Sequence, residues 1–339
     1  MLYTYKMDKL EQLHEVLDGH TKLLVIPHND PDPDAIAASL GLRYLAAELY
    51  GVEAEIRYNG IIGRAENKAL VRYLRNPLKK LNNVPLDRGT PIALIDTQPG
   101  AGNNPVPTNI HPAIVIDHHN RKELSSLAYF VDIRTDVGAS ATILTEYLQA
   151  ANINIPPSLA TALFYGIKTD TMGLGRGASS ADAAAYFYLQ PKIDVESLVQ
   201  IERAQVPETY FKSLNLALQA TKVYDDLVIA YLGPMKYPDL GAEIADLLLR
   251  LKDVKWVICM GVFEGDLFIS VRSRSRQIGA GNLVQHVVGN LGTAGGHGTM
   301  AGGQIRIGHQ EPRQLADQLT KSALIYLKGG SSLVGKPLI

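Results

Sequence analysis

Short continuous apolar runs alternate with longer helical patterns along the first half of the chain. Apolar runs of strand length occupy residues 23–27, 53–58, 91–96 and 113–117. Helical spacing of apolar residues marks 10–17, 35–50, 138–150 and 158–168. Because fully apolar strands alternate with helices, the pattern predicts an α/β fold with a mainly parallel sheet covered on both faces.

A second pattern of strands and helices begins near residue 223. Predicted strands occupy 223–232, 255–263 and 266–272, and predicted helices occupy 240–251, 281–290 and 311–327. We therefore predict a second, smaller α/β domain. The predicted boundaries are 1–192 for the first domain, 193–222 for a helical connector, 223–328 for the second domain and 329–339 for a tail with little structure.

Composition narrows the class of protein. The 339 residues are 46% hydrophobic, with 33 Lys plus Arg against 34 Asp plus Glu. These figures exclude a protein that is disordered as a whole and a highly basic nucleic-acid coat protein. The single cysteine, Cys259, cannot form an intramolecular disulfide and suits a reducing cytoplasm. Because no secretory signal and no membrane-length apolar run is present, we expect a soluble cytoplasmic protein without a membrane partner.

Ionisable residues follow three of the predicted strands. They are His28, Asp32 and Asp34 after the first, Asp96 after the third, and Asp117, His118 and His119 at the end of the fourth. The carboxyl ends of strands in an open α/β sheet line one crevice, so these groups should converge. The electrostatic repulsion between the carboxylates must be neutralised, and bound divalent metal ions are the simplest way to do so. Imidazole and carboxylate ligands without thiolate favour Mn, our expectation, with Mg as the alternative.

The spacing of the aspartates favours two ions. Asp32 and Asp34 can point in different directions from a proline-stiffened turn and serve one ion each, with Asp96 as the bridge. Two ions about 3.5–4 Å apart suit phosphoryl displacement. Asp170, after an apolar helical stretch, is a fourth candidate.

Each residue also has a simpler interpretation. Asp32 and Asp34 could cap the following helix, and Asp96 and Asp117 could form turns. The two adjacent histidines could belong to a polar loop. The joint occurrence of such groups at three strand ends favours the metal interpretation.

A basic stretch in the second half is a candidate anion site. Residues 267–310 contain four arginines and three histidines and no acidic residue. Candidate phosphate-binding groups are the side chains of Arg272, Ser273, Arg274 and His297 and the backbone at Gly295, Gly296 and Gly302. A solvated strand edge with glycine turns is the alternative.

The ordered motifs resemble a known family. His-x-x-Pro-Asp-x-Asp-Ala at 28–35, Asp96, Asp-His-His at 117–119 and Thr-Asp-Thr at 169–171 resemble the four motifs of the DHH phosphoesterases. Gly-Gly-His at 295–297, followed by Met-Ala-Gly at 300–302, is similar to the glycine-rich signature of their DHHA1 domain. By size, the NrnA-like oligoribonucleases are the most similar subgroup.

The resemblance implies roles for individual residues. It implies a DHH domain, a smaller DHHA1 domain that binds substrate, and an active site in the cleft between them. One Mn ion would be held by His28, Asp32 and Asp96, and the other by Asp34, Asp96, His118 and Asp170. His119 would face the substrate phosphate, and Asp117 would orient a neighbouring histidine.

The resemblance also implies a reaction. The expected substrates are short RNA or DNA oligonucleotides or nucleotide phosphates. The expected reaction is hydrolysis of short oligoribonucleotides, of 3'-phosphoadenosine 5'-phosphate, or of both. A pyrophosphatase or exopolyphosphatase and a phosphodiesterase related to cyclic dinucleotides remain alternatives, and an inactive nucleotide-binding receptor is the alternative of another class. A homodimer is among the oligomeric states left open. The chain departs from the family pattern at Ala37, Ala38, 293–296 and Met300. These departures keep every proposed metal ligand but leave the choice of substrate open.

Overall fold

The computed structural model describes residues 2–82, 86, 89–275, 278–330 and 333–339, without the side chains of residues 2–4 and 297. The chain forms two units, Met1–Ala204 and Gln205–Ile339. Their boundary falls within the stretch 193–222 for which a helical connector is predicted. The predicted α/β class is confirmed, because the first unit contains a parallel sheet and the second a mixed sheet.

The first unit is built on six strands among the described residues, in the order β3-β2-β1-β4-β5-β6. The strands are β1 (Lys22–Pro27), β2 (Glu53–Tyr58), β3 (Leu78–Lys80), β4 (Ile92–Ile95), β5 (Ile114–Asp117) and β6 (Phe130–Ile133). All their pairings are parallel. The order reverses between β1 and β4, and ligands of such sheets bind at this reversal, outside the carboxyl ends of the strands.

Helices cover one face of this sheet with the larger core. They are α1 (Leu2–Leu17), α2 (Pro33–Tyr50), α3 (Ala65–Tyr73), α4 (Ser140–Ala150), α5 (Pro157–Asp170), α6 (Ser180–Leu189) and α7 (Val195–Glu202). The core includes Leu42, Leu144 and Leu163 from α2, α4 and α5. A smaller cluster around Ile26 and Leu94 lies on the other face.

Local sequence sets both ends of α2. Asp32 accepts a hydrogen bond from the backbone N–H of Ala35 at 3.0 Å, and Pro33 occupies the first turn, where a missing N–H costs nothing. Gly51 ends the helix at φ 69°, a conformation that glycine adopts without steric cost. The turn between β1 and α2 therefore has a defined geometry. It carries the predicted ligands His28 and Asp32, and Asp34 follows in the first turn of α2.

The second unit contains a seven-stranded sheet in the described residues, in the order β11-β12-β10-β9-β8-β7-β13. The strands are β7 (Thr221–Tyr224), β8 (Leu227–Pro234), β9 (Trp256–Phe263), β10 (Asp266–Ser273), β11 (Gly292–His297), β12 (Met300–Arg306) and β13 (Lys336–Pro337). Only β8 and β9 run parallel among these pairs. The sheet is therefore mixed.

Four α-helices accompany the second sheet in the part of this unit that the structure describes. They are α8 (Glu208–Ala220), α9 (Leu240–Leu248), α10 (Ala280–Val288) and α11 (Pro312–Lys328). Apolar residues of α10 and α11 pack in one cluster with Ile258 and Ile269, and those of α9 pack in another with Val257 and Cys259. Alternate residues of β9 thus face opposite cores.

Three features of the second unit differ from the sequence prediction. The single strand predicted over 223–232 is a hairpin, because Asp225 turns the chain at φ 55°. The predicted tail contributes the short strand β13, which pairs with β7. The glycine-rich segment near residue 295 forms the hairpin of β11 and β12.

The described residues contain no helix with the length and apolar character that crossing a bilayer requires. The thiol of Cys259 is free and buried, and burial raises its pKa.

Candidate metal centre

Adjacent strands of the parallel sheet bring the predicted ligands to one edge. His28 directly follows β1, Asp96 directly follows β4, and Asp117 ends β5, and these three strands are neighbours. Asp96 has φ 57°, a left-handed conformation that aspartate tolerates better than most residues. Asp170 is the last residue of α5 and reaches the same edge.

Imidazole nitrogens and carboxylate oxygens lie there in three overlapping groups of three residues. Within each group the ligand atoms are within 4.8 Å of one another. The groups are His28, Asp32 and Asp96; Asp34, His118 and Asp170; and Asp96, His118 and His119. All six residues predicted as ligands therefore lie in one cluster. His119, predicted to face substrate, also belongs to one of the three groups.

The carboxylate of Asp96 faces both sides of the cluster. Its Oδ2 lies 3.5 Å from Nε2 of His28, whereas its Oδ1 lies 3.3 Å from Nε2 of His118. The side chain is only 2% exposed, so its position is fixed by packing. This arrangement lets one carboxylate serve two cations at once.

The ring of His28 is oriented for ligation. Its Nδ1 lies 2.7 Å from the backbone carbonyl of Asn29. Because a carbonyl can only accept, Nδ1 carries the proton of the neutral ring. Nε2 is then the basic nitrogen, and it faces Asp32 at 3.6 Å and Asp96 at 3.5 Å.

Asp34 has a structural task in addition to its predicted one. Its two oxygens accept the backbone N–H groups of Ser140 and Ala141, at 2.7 and 2.8 Å, at the start of α4. The capping interpretation of Asp34 thus applies to α4 and not to α2, whose cap is Asp32. A carboxylate offers about four lone-pair directions, so capping leaves capacity for a cation.

Asp117 holds His119 and the loop that carries it. Its Oδ1 lies 2.8 Å from Nδ1 of His119 and also accepts the backbone N–H of His118 at 2.8 Å. Its Oδ2 accepts a hydrogen bond from Gln98 at 2.6 Å. Nδ1 of His119 is committed to Asp117, which fixes the ring orientation.

Two residues that support Asp96 and Asp117 were not among the predicted site residues. Ser140 donates its hydroxyl hydrogen to Oδ1 of Asp96 at 3.0 Å. The buried amide of Gln98 joins Asp117 to the next loop by accepting from Lys122 N–H and Ser125 Oγ, at 2.7 and 2.8 Å. The only signal for Gln98 was its position two residues after a predicted ligand.

The crowded charges shift the pKa values of the cluster in opposite directions. Burial and the nearby charge of Asp96 raise the pKa of Asp34 well above its usual range. Burial and the charges of Asp32 and Asp34 raise that of Asp170 likewise. Burial alone would also raise the pKa of Asp96, but hydrogen bonding and the charges of three histidines hold it below the usual range.

The same carboxylates raise the pKa values of two histidines. Burial lowers the pKa of His28, but the hydrogen bond to Asp32 and the charges of Asp32 and Asp96 outweigh it and raise the pKa to about 10. The pKa of His118 is raised well above its usual value in the same way, mainly through Asp96.

This donor set fits divalent cations. Buried carboxylates whose repulsion raises two of their pKa values are stabilised by a positive charge placed among them. The groups offer nitrogen and oxygen ligands and no sulfur, which suits Mn or Mg.

The predicted phosphate-binding residues lie in the second unit. Arg272 is 9% exposed, and its Nε donates to Asp246 Oδ1 at 2.5 Å. Ser273 is buried at the end of β10, and Arg274 is exposed and donates to the carbonyl of Leu249.

The predicted glycines lie in the neighbouring hairpin. Gly295 on β11 pairs with Gly302 on β12, and Gly296 pairs with Ala301 at φ 141°. The backbone of His297 ends β11, and its side chain lies outside the described part of the structure. Their role in binding phosphate stays a prediction.

Comparison with known proteins gives a family match and several relatives. Residues 22–167 match the DHH family, N-terminal domain. An uncharacterized protein of Methanocaldococcus jannaschii is 36% identical over 88% of this chain and 61% of its own length. The cyclic-di-AMP phosphodiesterase GdpP of Bacillus subtilis is 27% identical over 86% of this chain and 46% of its own length.

Two further comparisons differ in how much of the chain they cover. A probable manganese-dependent inorganic pyrophosphatase of Streptococcus thermophilus is 25% identical over 45% of this chain and 49% of its own length. The crystal structure of an exopolyphosphatase-related protein from Bacteroides fragilis superposes with a TM-score of 0.72, at 15% identity over 94% of this chain and 96% of that one. This likeness shows a shared fold.

Proposed function

We propose that the chain, whose residues 22–167 match the DHH family N-terminal domain, is a two-metal phosphoesterase. Its proposed substrates are short oligoribonucleotides, 3'-phosphoadenosine 5'-phosphate, or both. The observation that carries the proposal is the position of Asp96, a buried residue whose two carboxylate oxygens face two separate histidines of one cluster. Mn is the proposed metal, with Mg as the alternative.

The chain's residues would divide the two cations between them. The first would be held by His28, Asp32 and Asp96, and the second by Asp34, Asp96, His118 and Asp170. Two bound cations would lower the pKa of a water and stabilise negative charge on phosphoryl oxygens.

His119 is suited to contact the substrate phosphate. Its side chain is 43% exposed, whereas that of the ligand His118 is 6% exposed. The bond to Asp117 holds the ring in place, so the exposed ring can contact an anionic oxygen. Asp117 is accordingly a positioning residue.

The extent of the similarities favours a nucleotide substrate. Similarity to the cyclic-di-AMP phosphodiesterase covers 86% of this chain and so includes residues of both units, whereas similarity to the pyrophosphatase covers 45%. The proposed role of the second unit is to bind the nucleotide through Arg272, Ser273, Arg274 and the β11–β12 hairpin.

A phosphodiesterase acting on cyclic dinucleotides is the second candidate function. The same 86% coverage favours it over a pyrophosphatase or exopolyphosphatase. The chain spans about half the length of that phosphodiesterase, 46%, so the activity of the longer protein is not carried over as a whole.

A substrate panel tests the proposal. The purified chain is incubated with a diadenylate, 3'-phosphoadenosine 5'-phosphate, cyclic-di-AMP and pyrophosphate, each with Mn and with Mg. We expect release of mononucleotide from the diadenylate, of phosphate from 3'-phosphoadenosine 5'-phosphate, or both, with Mn at least as effective as Mg. Turnover of pyrophosphate and of no other substrate would show that the chain is a pyrophosphatase. Binding of nucleotides without turnover under any metal would assign an inactive receptor and overturn the proposal.

A further inference from the structure

A basic cavity of about 390 Å³ lies in the first unit beside α3 and the ends of β2 and β3. Its volume is within the range of about 300–1,000 Å³ typical of ligand pockets. Three of its eight described lining residues are basic, and none of the eight is acidic. The basic residues are Lys68, Arg72 and Lys80.

The fold places these basic groups on a common surface. Lys68 and Arg72 are four residues apart on α3 and therefore share one helix face. Lys80 on β3 is the register partner of Tyr58 on β2, so both side chains lie on the same side of the sheet. The ammonium of Lys80 lies 4.6 Å from the centre of the Tyr58 ring.

The cavity wall is bonded to the turn that carries metal ligands. Asp30, in that turn, donates its backbone N–H to the carbonyl of Asn59 at 3.1 Å, and its Oδ1 accepts the N–H of Ile61 at 2.6 Å. Asn59 also donates to Oδ1 of Asn29 at 3.1 Å. A Cβ added to Gly60 would lie 2.4 Å from Oδ1 of Asp30, so only glycine allows this close approach.

This combination suits a nucleotide phosphate. Basic groups around a concave surface with apolar walls concentrate anions, and Ile61 and Ile62 supply such walls. An aromatic ring beside the basic groups offers a base or ribose an apolar contact. The site at the metal centre, by contrast, is lined by carboxylates and needs cations before it can accept a phosphate.

We propose that this cavity binds a phosphate of the nucleotide substrate other than the one that reacts at the metal centre. Lys68 and Arg72 contact the phosphate, and Tyr58 contacts the attached nucleoside. The inference rests on the proposed function and deepens it, because it makes the protein prefer substrates with more than one phosphate.

A neighbouring lysine provides a matched control. Lys79 precedes Lys80 on β3, so its side chain lies on the opposite face of the sheet. There its Nζ lies 2.9 Å from Glu55, and it lines a different cavity that also contains Glu53. Replacing Lys79 removes one positive charge from the same strand without changing the basic cavity.

Steady-state kinetics with Mn give the first test. The double variant Lys68→Ala/Arg72→Ala is compared with wild type and Lys79→Ala on a 5'-phosphorylated triadenylate and on bis(p-nitrophenyl) phosphate, which has a single phosphate. We expect the KM for the triadenylate to be about tenfold higher in the double variant than in wild type, and to be unchanged in Lys79→Ala. Turnover of bis(p-nitrophenyl) phosphate should be unchanged in all three proteins.

Direct binding separates this inference from the proposed activity. Isothermal titration calorimetry with a triadenylate that carries phosphorothioate linkages should show about tenfold weaker binding to the double variant than to wild type and Lys79→Ala. If wild type hydrolyses neither substrate, the proposed function fails, and the calorimetric comparison still decides the inference. Equal affinity and equal KM in wild type and the double variant would overturn the inference and leave the proposed function standing.

Discussion

Asp34 and Ser140 are 106 positions apart, and Oδ2 of Asp34 accepts the backbone N–H of Ser140 at 2.7 Å. The same serine donates its hydroxyl to Oδ1 of Asp96 at 3.0 Å. Through these two bonds the start of α4 orients two predicted ligands, one in the first turn of α2 and one directly after β4. Ser140 is therefore a positioning residue for the metal centre.

Replacing Ser140 by alanine tests this role. Ser140→Ala removes the bond to Asp96 but keeps the backbone bond to Asp34, so the fold should be preserved. Loss of such a supporting bond typically lowers metal affinity or activity about 10–100-fold. We expect a loss of this size in Mn affinity, measured by equilibrium dialysis. Ser126→Ala, which changes an exposed serine bonded to Glu123, is the control, and equal affinity of the two variants would refute the role.

His119→Ala separates substrate contact from metal binding. Because Nδ1 of His119 is bonded to Asp117 and the ring is 43% exposed, we expect kcat to fall by about 10²-fold or more while two Mn ions remain bound. Turnover and metal content are measured on the same preparation. A parallel loss of metal would make His119 a ligand, in agreement with its grouping with Asp96 and His118.

Arg272→Ala tests the predicted contribution of the second unit. The guanidinium is bonded to Asp246 and the side chain is nearly buried, so its position is defined. We expect the KM for nucleotide substrates to rise about tenfold with a smaller change in kcat. Arg306→Ala, which breaks an exposed ion pair with Asp266, serves as the control. An unchanged KM in Arg272→Ala would exclude this arginine from the site.

A pH-dependent contribution to stability is predicted for Asp226. Burial raises its pKa, but bonds to Lys328 and Lys255 outweigh burial and lower it. A carboxylate with a lowered folded-state pKa stabilises the fold above its unfolded value near pH 4, and this contribution is lost as the pH falls through the folded value. Asp226→Asn should lower the Tm at pH 7 by roughly 2 °C. The difference from wild type should shrink as the pH falls below about 4 and vanish once the carboxyl group is protonated in the folded protein. A difference that stays constant as the pH falls would contradict the assignment.

The positions of three predicted site residues follow from a local rule. A polar residue directly after a buried parallel strand must lie at the carboxyl edge of the sheet, so His28, Asp96 and Asp117 could be placed without knowing the rest of the fold. Asp170 ends a helix, so the strand-end rule does not place it. Its position after an apolar helical stretch made it a candidate, and the family motif gave it a ligand role.

The supporting contacts could not be predicted in this way. The bond between Ser140 and Asp96 joins residues 44 positions apart, and it depends on how α4 packs against the sheet. Likewise, Asp225 and Asp226 marked the turn between β7 and β8, but the apolar residues on both sides resembled one continuous strand. Short elements such as β3, with three residues, carry too few positions for a periodic signal.

The central claim is that Asp96 bridges two cations, and an anomalous difference map from crystals grown with Mn tests it most directly. We predict two peaks about 3.5–4 Å apart, one beside His28 and Asp32 and one beside His118 and Asp170, both in contact with Asp96. Crystals of Asp96→Asn, which keeps the left-handed backbone and removes the charge, should lose both peaks. A single peak in wild type, or two peaks that persist in Asp96→Asn, would contradict the claim.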